Sequence, residues 1–498
     1  MAYSEKTEDE SVIETDLRHL EQAAPESREK VQGTEVGEVL PRPSNDPNDP
    51  LNWSWWEKHL ALSVVAAQTF QGGFDAGSAS AGLIQQSAIY QVSVSRMLQA
   101  TSAFALLMAF GGCIWVPFAH RYGRRPILIL AALIAAMGTL AGAVGQTYGV
   151  FVGSRILLGF GASASMSLGS LMVTDMFFTH ERGQKMGIWI VFFAASPYLS
   201  TLLDGLVVYY ADWRWMMWVT FFMWCLQLVW DVFLLPETLY QKRGDIDPVP
   251  QKESWLHRLR FRRFDGHLTA EDFYKPFMLW KYPSIIFPAI YYGNMYGFCA
   301  FASLGILPYA FPEIYGFSPI GQGLMALPLF LGTVIGEPLG GPFSDWVFRI
   351  RSRKAGARHP EQRLQAIWPG AIVVPVGLAM LGLFLHFEVH WIGPAIAIFL
   401  FSLGMQNVVT VVITYSVDCY TPLAAEIGLI SNVGRQLCSF YVFFYLDAFI
   451  VRAGFGWVFG TYAIAITLLF GLILSLMKWG MLWRQKLALP SYAHAARG

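Results

Sequence analysis

The sequence predicts an all-α membrane protein of twelve transmembrane helices, and three observations carry that reading. Of its 498 residues, 54% are hydrophobic and only 14% are charged, whereas a soluble globular chain carries about 25% charged residues. Twelve stretches are long and apolar enough for a hydrocarbon core of ~30 Å, which takes about 20 helical residues. Basic residues, finally, collect in alternate loops. The five cysteines, Cys113, Cys225, Cys299, Cys419 and Cys438, lie in or beside apolar stretches without metal-ligand spacing, so no metal site or structural disulfide is expected. A disordered chain, a collagen and a disulfide scaffold are excluded as descriptions of the whole.

Residues 1–57 contain no apolar run, and no cleavable signal peptide is expected. Residues 1–50 hold 13 Asp/Glu against 5 Lys/Arg, with Pro41, Pro43, Pro47 and Pro50, and read as a disordered, acidic cytoplasmic tail. The tail leads into Asp49-Pro50-Leu51-Asn52-Trp53-Ser54-Trp55-Trp56, whose three indoles are expected to anchor in the headgroup layer. The spans follow near 58–80, 95–119, 127–146, 149–175, 186–208, 214–236, 284–309, 319–343, 366–386, 391–416, 425–450 and 456–480. Runs of this length are helices, because a barrel strand needs only about 9–11 residues. The spans divide into a six-helix bundle over 58–236, a central cytoplasmic loop over 237–283, and a second six-helix bundle over 284–480. A cytoplasmic tail over 481–498 completes the chain. In the central loop, Arg258-Leu259-Arg260-Phe261-Arg262-Arg263-Phe264 has the character of a nucleic-acid or anionic-lipid patch. The preferred reading is a linker lying at an anionic leaflet, with no nucleic-acid partner.

Orientation comes from the loops. With the amino terminus in the cytoplasm, inner loops, central loop and C-terminal tail hold 24 Lys/Arg, and the outer loops hold only Arg96, Arg214 and Arg452. The positive-inside rule therefore places both termini in the cytoplasm. The formal net charge of zero is the sum of an acidic tail and a membrane body whose positives face inward.

A charge at the bilayer centre costs a few kcal/mol, about 2.5–3.5 for Arg or Asp on insertion scales, so such groups need a partner or a water-filled cavity. The clearest are Asp75, Arg155, Asp204 and Glu337; Asp231, Arg435 and Asp447 rank second. Asp75 shares a helical stripe with Gln68 and Gln71. Arg155 continues a stripe through Gly159, Ser163, Ser167, Ser170 and Thr174. Glu337 sits in Gly332-x-x-x-Gly336-x-x-x-Gly340, whose small residues permit close helix contact. Pro338 frees a carbonyl one turn back, so Glu337 reads equally as a proton site or as a partner for that backbone. Tyr291, Asn294 and Phe298 share one face of span seven, with Tyr292 and Tyr296 nearby; these, with Gln406 and Asn407, followed by Thr410, are candidate substrate contacts, the alternative for the tyrosines being the interfacial aromatic belt. Aromatics with a few amides suit a medium-sized, partly apolar solute.

The two halves echo each other after their second spans, with Val116-Pro117-Phe118-Ala119-His120-Arg121-Tyr122-Gly123-Arg124-Arg125-Pro126 matched by Gly341-Pro342-Phe343-Ser344-Asp345-Trp346-Val347-Phe348-Arg349. Here the chain resembles the major facilitator superfamily, whose signature in this loop runs Gly-x-x-x-Asp-Arg-x-Gly-Arg-Arg/Lys. Further segments resemble its fungal twelve-span drug:proton antiporter branch. They include Gly153-Ser154-Arg155 through Gly159-Phe160-Gly161-Ala162, Asp175 through Glu181-Arg182-Gly183, Trp213-Arg214-Trp215, Pro236-Glu237-Thr238 and Glu361-Gln362-Arg363-Leu364. Together they cover roughly residues 46–480. His120 stands where the signature has Asp, and Val116 where it has Gly. Of the fifth-span element that the family associates with export, Pro197 and Gly205 remain.

The resemblance implies a cavity lined by spans one, four, seven and ten, and a coupling role for Arg155. On that basis Asp75 or Asp204 is expected to exchange a proton near Arg155, a static helix–helix ion pair being the alternative. The loops are expected to gate: Arg121, Arg124 and Arg125 against Asp175 and Glu181 beside Arg182, and Asp345 against Arg349, with His120 wiring the first gate differently. The implied function is secondary active transport, proton-coupled efflux of a drug, toxin or secondary metabolite by alternating access. An uptake symporter for an organic nutrient and a non-transporting receptor are the alternatives. No enzyme motif such as a Walker loop or nucleophile elbow occurs, and no cofactor is expected beyond the proton gradient. The expected setting is a monomer in the plasma membrane, and the expected role includes multidrug resistance.

Overall fold

The computed structural model describes residues 46–78, 80–240, 268–356 and 358–487. The acidic tail before Asp46, the basic-aromatic run 258–264 and the end of the C-terminal tail lie outside the described residues.

Among the described residues there are helices and no strand. The first six long helices are α1 (Trp55–Gly77), α2 (Val94–Tyr122), α3 (Arg124–Val144), α4 (Tyr148–Met176), α5 (Thr179–Tyr210) and α6 (Arg214–Phe233). Helix α7 begins as Pro283–Tyr296, passes through one π turn, Gly297–Phe301, and ends as Ala302–Tyr315. The short helix Pro319–Leu324 leads into α8 (Leu327–Ala355), and the 3-10 segment Pro360–Ile367 leads into α9 (Trp368–His386). Helix α10 is Ile392–Cys419. The last run, Ala424–Lys486, is 63 residues long and breaks at Gly454, where φ is 76° and ψ 164°. Glycine has no Cβ to strain that conformation, and the chain divides there into α11 (424–453) and α12 (455–486).

Ten helices among the described residues are long and apolar enough to cross a membrane, with Ala424–Lys486 counted once. Its break makes two spans of it. Helix α1 completes the set: its 23 residues reach ~34 Å, although Gln68, Gln71 and Asp75 dilute its apolar character. The expected spans and the observed helices coincide to within a few residues, apart from extensions beyond the apolar run at helix ends, as at Thr179 in α5 and Ala355 in α8, and from the eighth span, whose expected start at 319 falls on the separate short helix Pro319–Leu324.

Packing follows small residues. Helix α4 packs on both α2 and α3, α1 on α4 and α5, and α3 on α6; in the second set α8 and α9 both pack on α10, and α7 on the final run. The glycine ladder of α8 lies on α10 four residues at a time. Added Cβ atoms at Gly332, Gly336 and Gly340 would meet the side chains of Ser402, Gln406 and Thr410 at 2.6, 3.0 and 3.1 Å. The spacing that suggested close helix contact is therefore used for it.

The tryptophans before α1 divide, correcting the expectation of a three-indole anchor. Trp55 and Trp56 are 59% and 76% exposed, whereas Trp53 is 5% exposed and packs among Leu62, Val65 and Leu235. The cause is a folded turn. The Asp46 carboxylate accepts from the Asn48 amide at 2.8 Å and from the Tyr240 hydroxyl at 3.0 Å, and Asn52 donates to the Asp46 carbonyl at 2.8 Å. Lys58 donates to the Leu51 carbonyl at 2.9 Å. The segment is thereby fastened to the chain just beyond α6 and carries Trp53 inward. Ser54 and Glu57 then start α1 with a reciprocal capping box.

Candidate functional site

Helices α2 and α11 meet through the Asn432 amide, which donates to the Met108 carbonyl at 3.3 Å, and α5 meets both Pro319–Leu324 and α8. Between these contacts lies a cavity of about 1140 Å³. Its walls include Trp189 and Phe193 of α5, Tyr292 and Tyr296 of α7, Glu337 of α8, Gln406 of α10 and Arg435 of α11. His120, Arg121, Arg182, Asp272, Lys275 and Glu426 line it as well, and these belong to the end of the bundle where α2 gives way to α3. This is the basic end. The cavity runs from the middle of the helices to that end.

The opposite, far end is closed. Backbone meets backbone there: a Cβ at Gly205 would lie 2.4 Å from the Pro319 carbonyl oxygen, and one at Gly323 would lie 2.9 Å from that of Leu202. The Asp204 carboxylate accepts from the Ala81 amide at 2.8 Å, holding the segment after α1 against α5.

The four intramembrane charges separate into two groups. Asp75, Arg155 and Asp204 are fully buried near the far ends of α1, α4 and α5, and none lines the cavity. The Asp75 carboxylate accepts from the Trp224 indole at 2.8 Å. Arg155 reaches the Asp75 backbone carbonyl at 3.1 Å and the Ser78 hydroxyl at 3.4 Å, and its guanidinium lies 5.2 Å from the Phe104 ring centre. The guanidinium thus engages the backbone of Asp75, while an indole holds its carboxylate. Glu337 is the member of the four that lines the cavity. Its Oε2 has no hydrogen-bond partner among the described residues, so it does not serve the carbonyl released by Pro338.

Several candidate substrate contacts turn elsewhere. Gln68 donates to the Leu128 carbonyl at 3.1 Å and Gln71 to that of Thr220 at 3.2 Å, so the polar stripe of α1 bonds to α3 and α6. Tyr291 is fully buried against Phe470. Asn294 donates to the Ile290 carbonyl and accepts from the Tyr441 hydroxyl. Asn407 faces Gly370 of α9. Successive residues of a helix point about 100° apart, and a shift of one or two positions separates these residues from Tyr292, Tyr296 and Gln406, which do line the cavity. On α4 the stripe reaches the cavity at Ser167, Ser170 and Thr174, and Arg155 stays behind.

The loop charges brace helices within each set of six. Arg124 pairs with Asp175, while the Arg125 guanidinium donates to the Asp231 and Val232 carbonyls at 3.2 and 2.7 Å. Glu237 accepts the backbone N–H groups of Arg124, Arg125 and Leu239 at 2.9, 3.2 and 2.9 Å. A carboxylate at a helix N-terminus is favourable. Burial nevertheless pushes the Glu237 carboxyl above its ordinary value, with the three N–H groups and Arg124 pulling the other way. Glu181 lies on the first turn of α5, and Arg182 donates to the Thr174 carbonyl at 2.9 Å. In the second set the partner of Asp345 is Arg363, at 2.7 Å, in place of Arg349, which reaches only the Asp345 carbonyl at 3.3 Å. Arg363 also holds Asp418 at 2.8 Å. Arg484 clamps Glu361 through two bonds of 2.9 Å.

Trp224, Asp418 and Arg484 were not singled out from the sequence, and Arg363 entered it only as part of a motif. Nothing in their spacing distinguishes an indole or a helix-end charge that reaches a particular neighbour. Arg435 did carry a signal, a cation inside an apolar run.

Comparison with known proteins agrees with this architecture. The family model for the Major Facilitator Superfamily matches residues 61–442. The MFS-type transporter atr4 of Stereocaulon alpinum is 27% identical over 405 residues, 79% of this chain and 72% of that protein. The probable efflux pump mfs2 of Aspergillus flavus is 27% identical over 376 residues, covering 73% of this chain and 88% of its own. The efflux pump vrtL of Penicillium aethiopicum is 26% identical over 442 residues, 86% of each.

Proposed function

Because the chain belongs to the Major Facilitator Superfamily and is a multi-pass membrane transporter, we propose that it exports a medium-sized, partly apolar organic molecule in exchange for protons. The observation that carries this reading is the cavity of about 1140 Å³ with Glu337 in its wall. A concave site lined by aromatics with a few polar groups suits such a solute. The efflux pumps among the relatives favour export over uptake.

In this reading the cavity alternates between the two ends of the bundle, and the structure is the facing open at the basic, cytoplasmic end. Glu337 carries the exchanged proton. It is 10 residues into α8, ~15 Å from the start of that helix, and it faces space that substrate would occupy. For exchange, solute and proton hold the cavity in turn: Glu337 gives up its proton as the solute binds and takes one up after the solute has left. Asp75, Arg155 and Asp204 act as the brace of the far end. The transporter works as a monomer in the plasma membrane with both termini cytoplasmic, and the proton gradient drives it without a cofactor.

The test is purified protein in proteoliposomes holding a trapped pH dye, with apolar organic compounds added singly. Under an imposed gradient, a transported compound should move protons in the opposite direction to itself. Compound counterflow without any coupled proton movement would overturn the coupling. Parallel movement of compound and proton would overturn export in favour of symport.

A further inference from the structure

Arg435 lies midway along α11, 3% exposed, and is held from both sets of helices. Its guanidinium lies 4.8 Å from the Phe193 ring centre on α5 and 4.6 Å from that of Tyr296 on α7. One nitrogen, Nη2, donates to Asn432 Oδ1 at 3.1 Å and approaches the Met166 sulfur at 3.4 Å. Among the described residues neither Nε nor Nη1 has a hydrogen-bonded partner, and no carboxylate lies within ion-pair distance of the side chain. The residue is nonetheless part of the cavity wall.

A cation removed from water needs a counter-charge or a polar cage. Ring faces supply part of the stabilisation, and a single amide oxygen supplies a little more. Other basic side chains of the cavity are already engaged: Lys275 is paired with Asp272 at 2.9 Å, and Arg182 bonds to backbone. Arg435 also sits nine residues beyond Glu426, ~13 Å deeper along α11, away from the rim. Glu337 shares the cavity without pairing to it.

We propose that Arg435 is the recognition point for an anionic group, so that the solute is an organic acid with an aromatic or apolar body. This rests on the transport reading above and narrows its substrate class. The carboxylate or comparable anion would take the forked Nε–Nη1 edge in the paired geometry that guanidinium favours. Tyr292, Tyr296, Phe193 and Trp189 would receive the body. Phe193 and Tyr296 belong to opposite sets of helices, so a ligand on Arg435 would also sit on the contact that joins them.

The experiment uses the full chain in nanodiscs and three radiolabelled probes of one shape: 2-naphthoate, 2-naphthamide and 2-naphthylmethylammonium. Naphthoate should bind roughly 10-fold or more tightly than the amide, as expected of a charge-assisted pair, and the ammonium probe should bind weakest. Arg435→Gln should erase the preference of acid over amide. Arg435→Lys should keep part of it. A melting temperature close to that of wild type for each variant reports that the fold is intact. Wild-type protein without a naphthoate preference, or an Arg435→Gln variant that retains one, would overturn the proposal. Gradient-driven proton exchange with a neutral compound alone would likewise overturn it while leaving the transport reading intact. Naphthoate selectivity that depends on Arg435 but is never accompanied by proton movement would support the site and defeat the coupling.

Discussion

Gly205 of α5 and Gly323 of the short helix before α8 lie in backbone contact across the far end of the bundle. A Cβ at Gly205 would lie 3.0 Å from the Gly323 Cα and 2.4 Å from the Pro319 carbonyl oxygen. Gly205 is one of two residues surviving from the family's fifth-span element, and in this chain it permits the closure between the two sets of six. Gly205→Val should push the far end apart. With the five native cysteines replaced and Gln322→Cys as reporter, labelling by an impermeant maleimide from that side should accelerate about 5-fold or more, the effect of ~1 kcal/mol on a two-state equilibrium. An unchanged labelling rate would show that the contact does not hold the closed facing.

The two groups of buried charge predict different outcomes. Glu337→Gln should abolish proton-driven movement while sparing counterflow, because it removes the cavity's proton carrier but little volume. Asp75→Asn should keep gradient-driven transport, since an amide oxygen can still accept from Trp224. Loss of coupling in Asp75→Asn with coupling retained in Glu337→Gln would reverse the assignment.

Trp224→Phe tests the brace itself. It leaves the Asp75 oxygen now bonded at 2.8 Å without its donor inside the protein, which costs about 1–3 kcal/mol. Thermal melting in detergent should fall further for Trp224→Phe than for Asp75→Asn.

Arg363 should matter more than either acid it holds. Its side chain is 10% exposed, against 56% for Asp345 and 32% for Asp418. Asp345→Asn should cost about 0–1 kcal/mol after solvent screening. Arg363→Gln, which strips two carboxylates at once, should cost about 2 kcal/mol. Equal melting temperatures for the two variants would contradict this ranking.

Glu237→Gln replaces two accepting oxygens with one, against three backbone donors. At least one N–H loses its acceptor, and stability should drop by about 1–3 kcal/mol. Glu237→Asp keeps both oxygens on a shorter stem and should fall between. A melting temperature indistinguishable from wild type would argue against this link between α6 and α3.

The membrane-length helices were readable from the sequence because their cause is local: a hydrocarbon core demands about 20 apolar helical residues per crossing, and that demand is written in each stretch separately. Even the close-contact face of α8 was legible, since Gly332, Gly336 and Gly340 repeat at the spacing of one helix face, although its partner α10 was not. Intramembrane charges were equally visible as departures from an apolar background. Their roles were not. Asp75 and Arg155 face one another's helices near the far end, while Glu337 and Arg435 face the cavity, and no single stretch encodes which neighbour lies opposite.

The sequence by itself determined the twelve helices, their apolar faces and the short inventory of charges that the membrane could tolerate. Only the tertiary structure decided which of those charges meet solvent-accessible space. A helix turns about 100° per residue, so Tyr292 lines the cavity and Tyr291 lies against Phe470, and Gln406 lines it while Asn407 faces α9. That rotation is fixed by glycine and serine contacts with partner helices far away in the chain. It makes Glu337 and Arg435 the charges to test for transport, and Asp75, Arg155 and Asp204 the charges to test for closure.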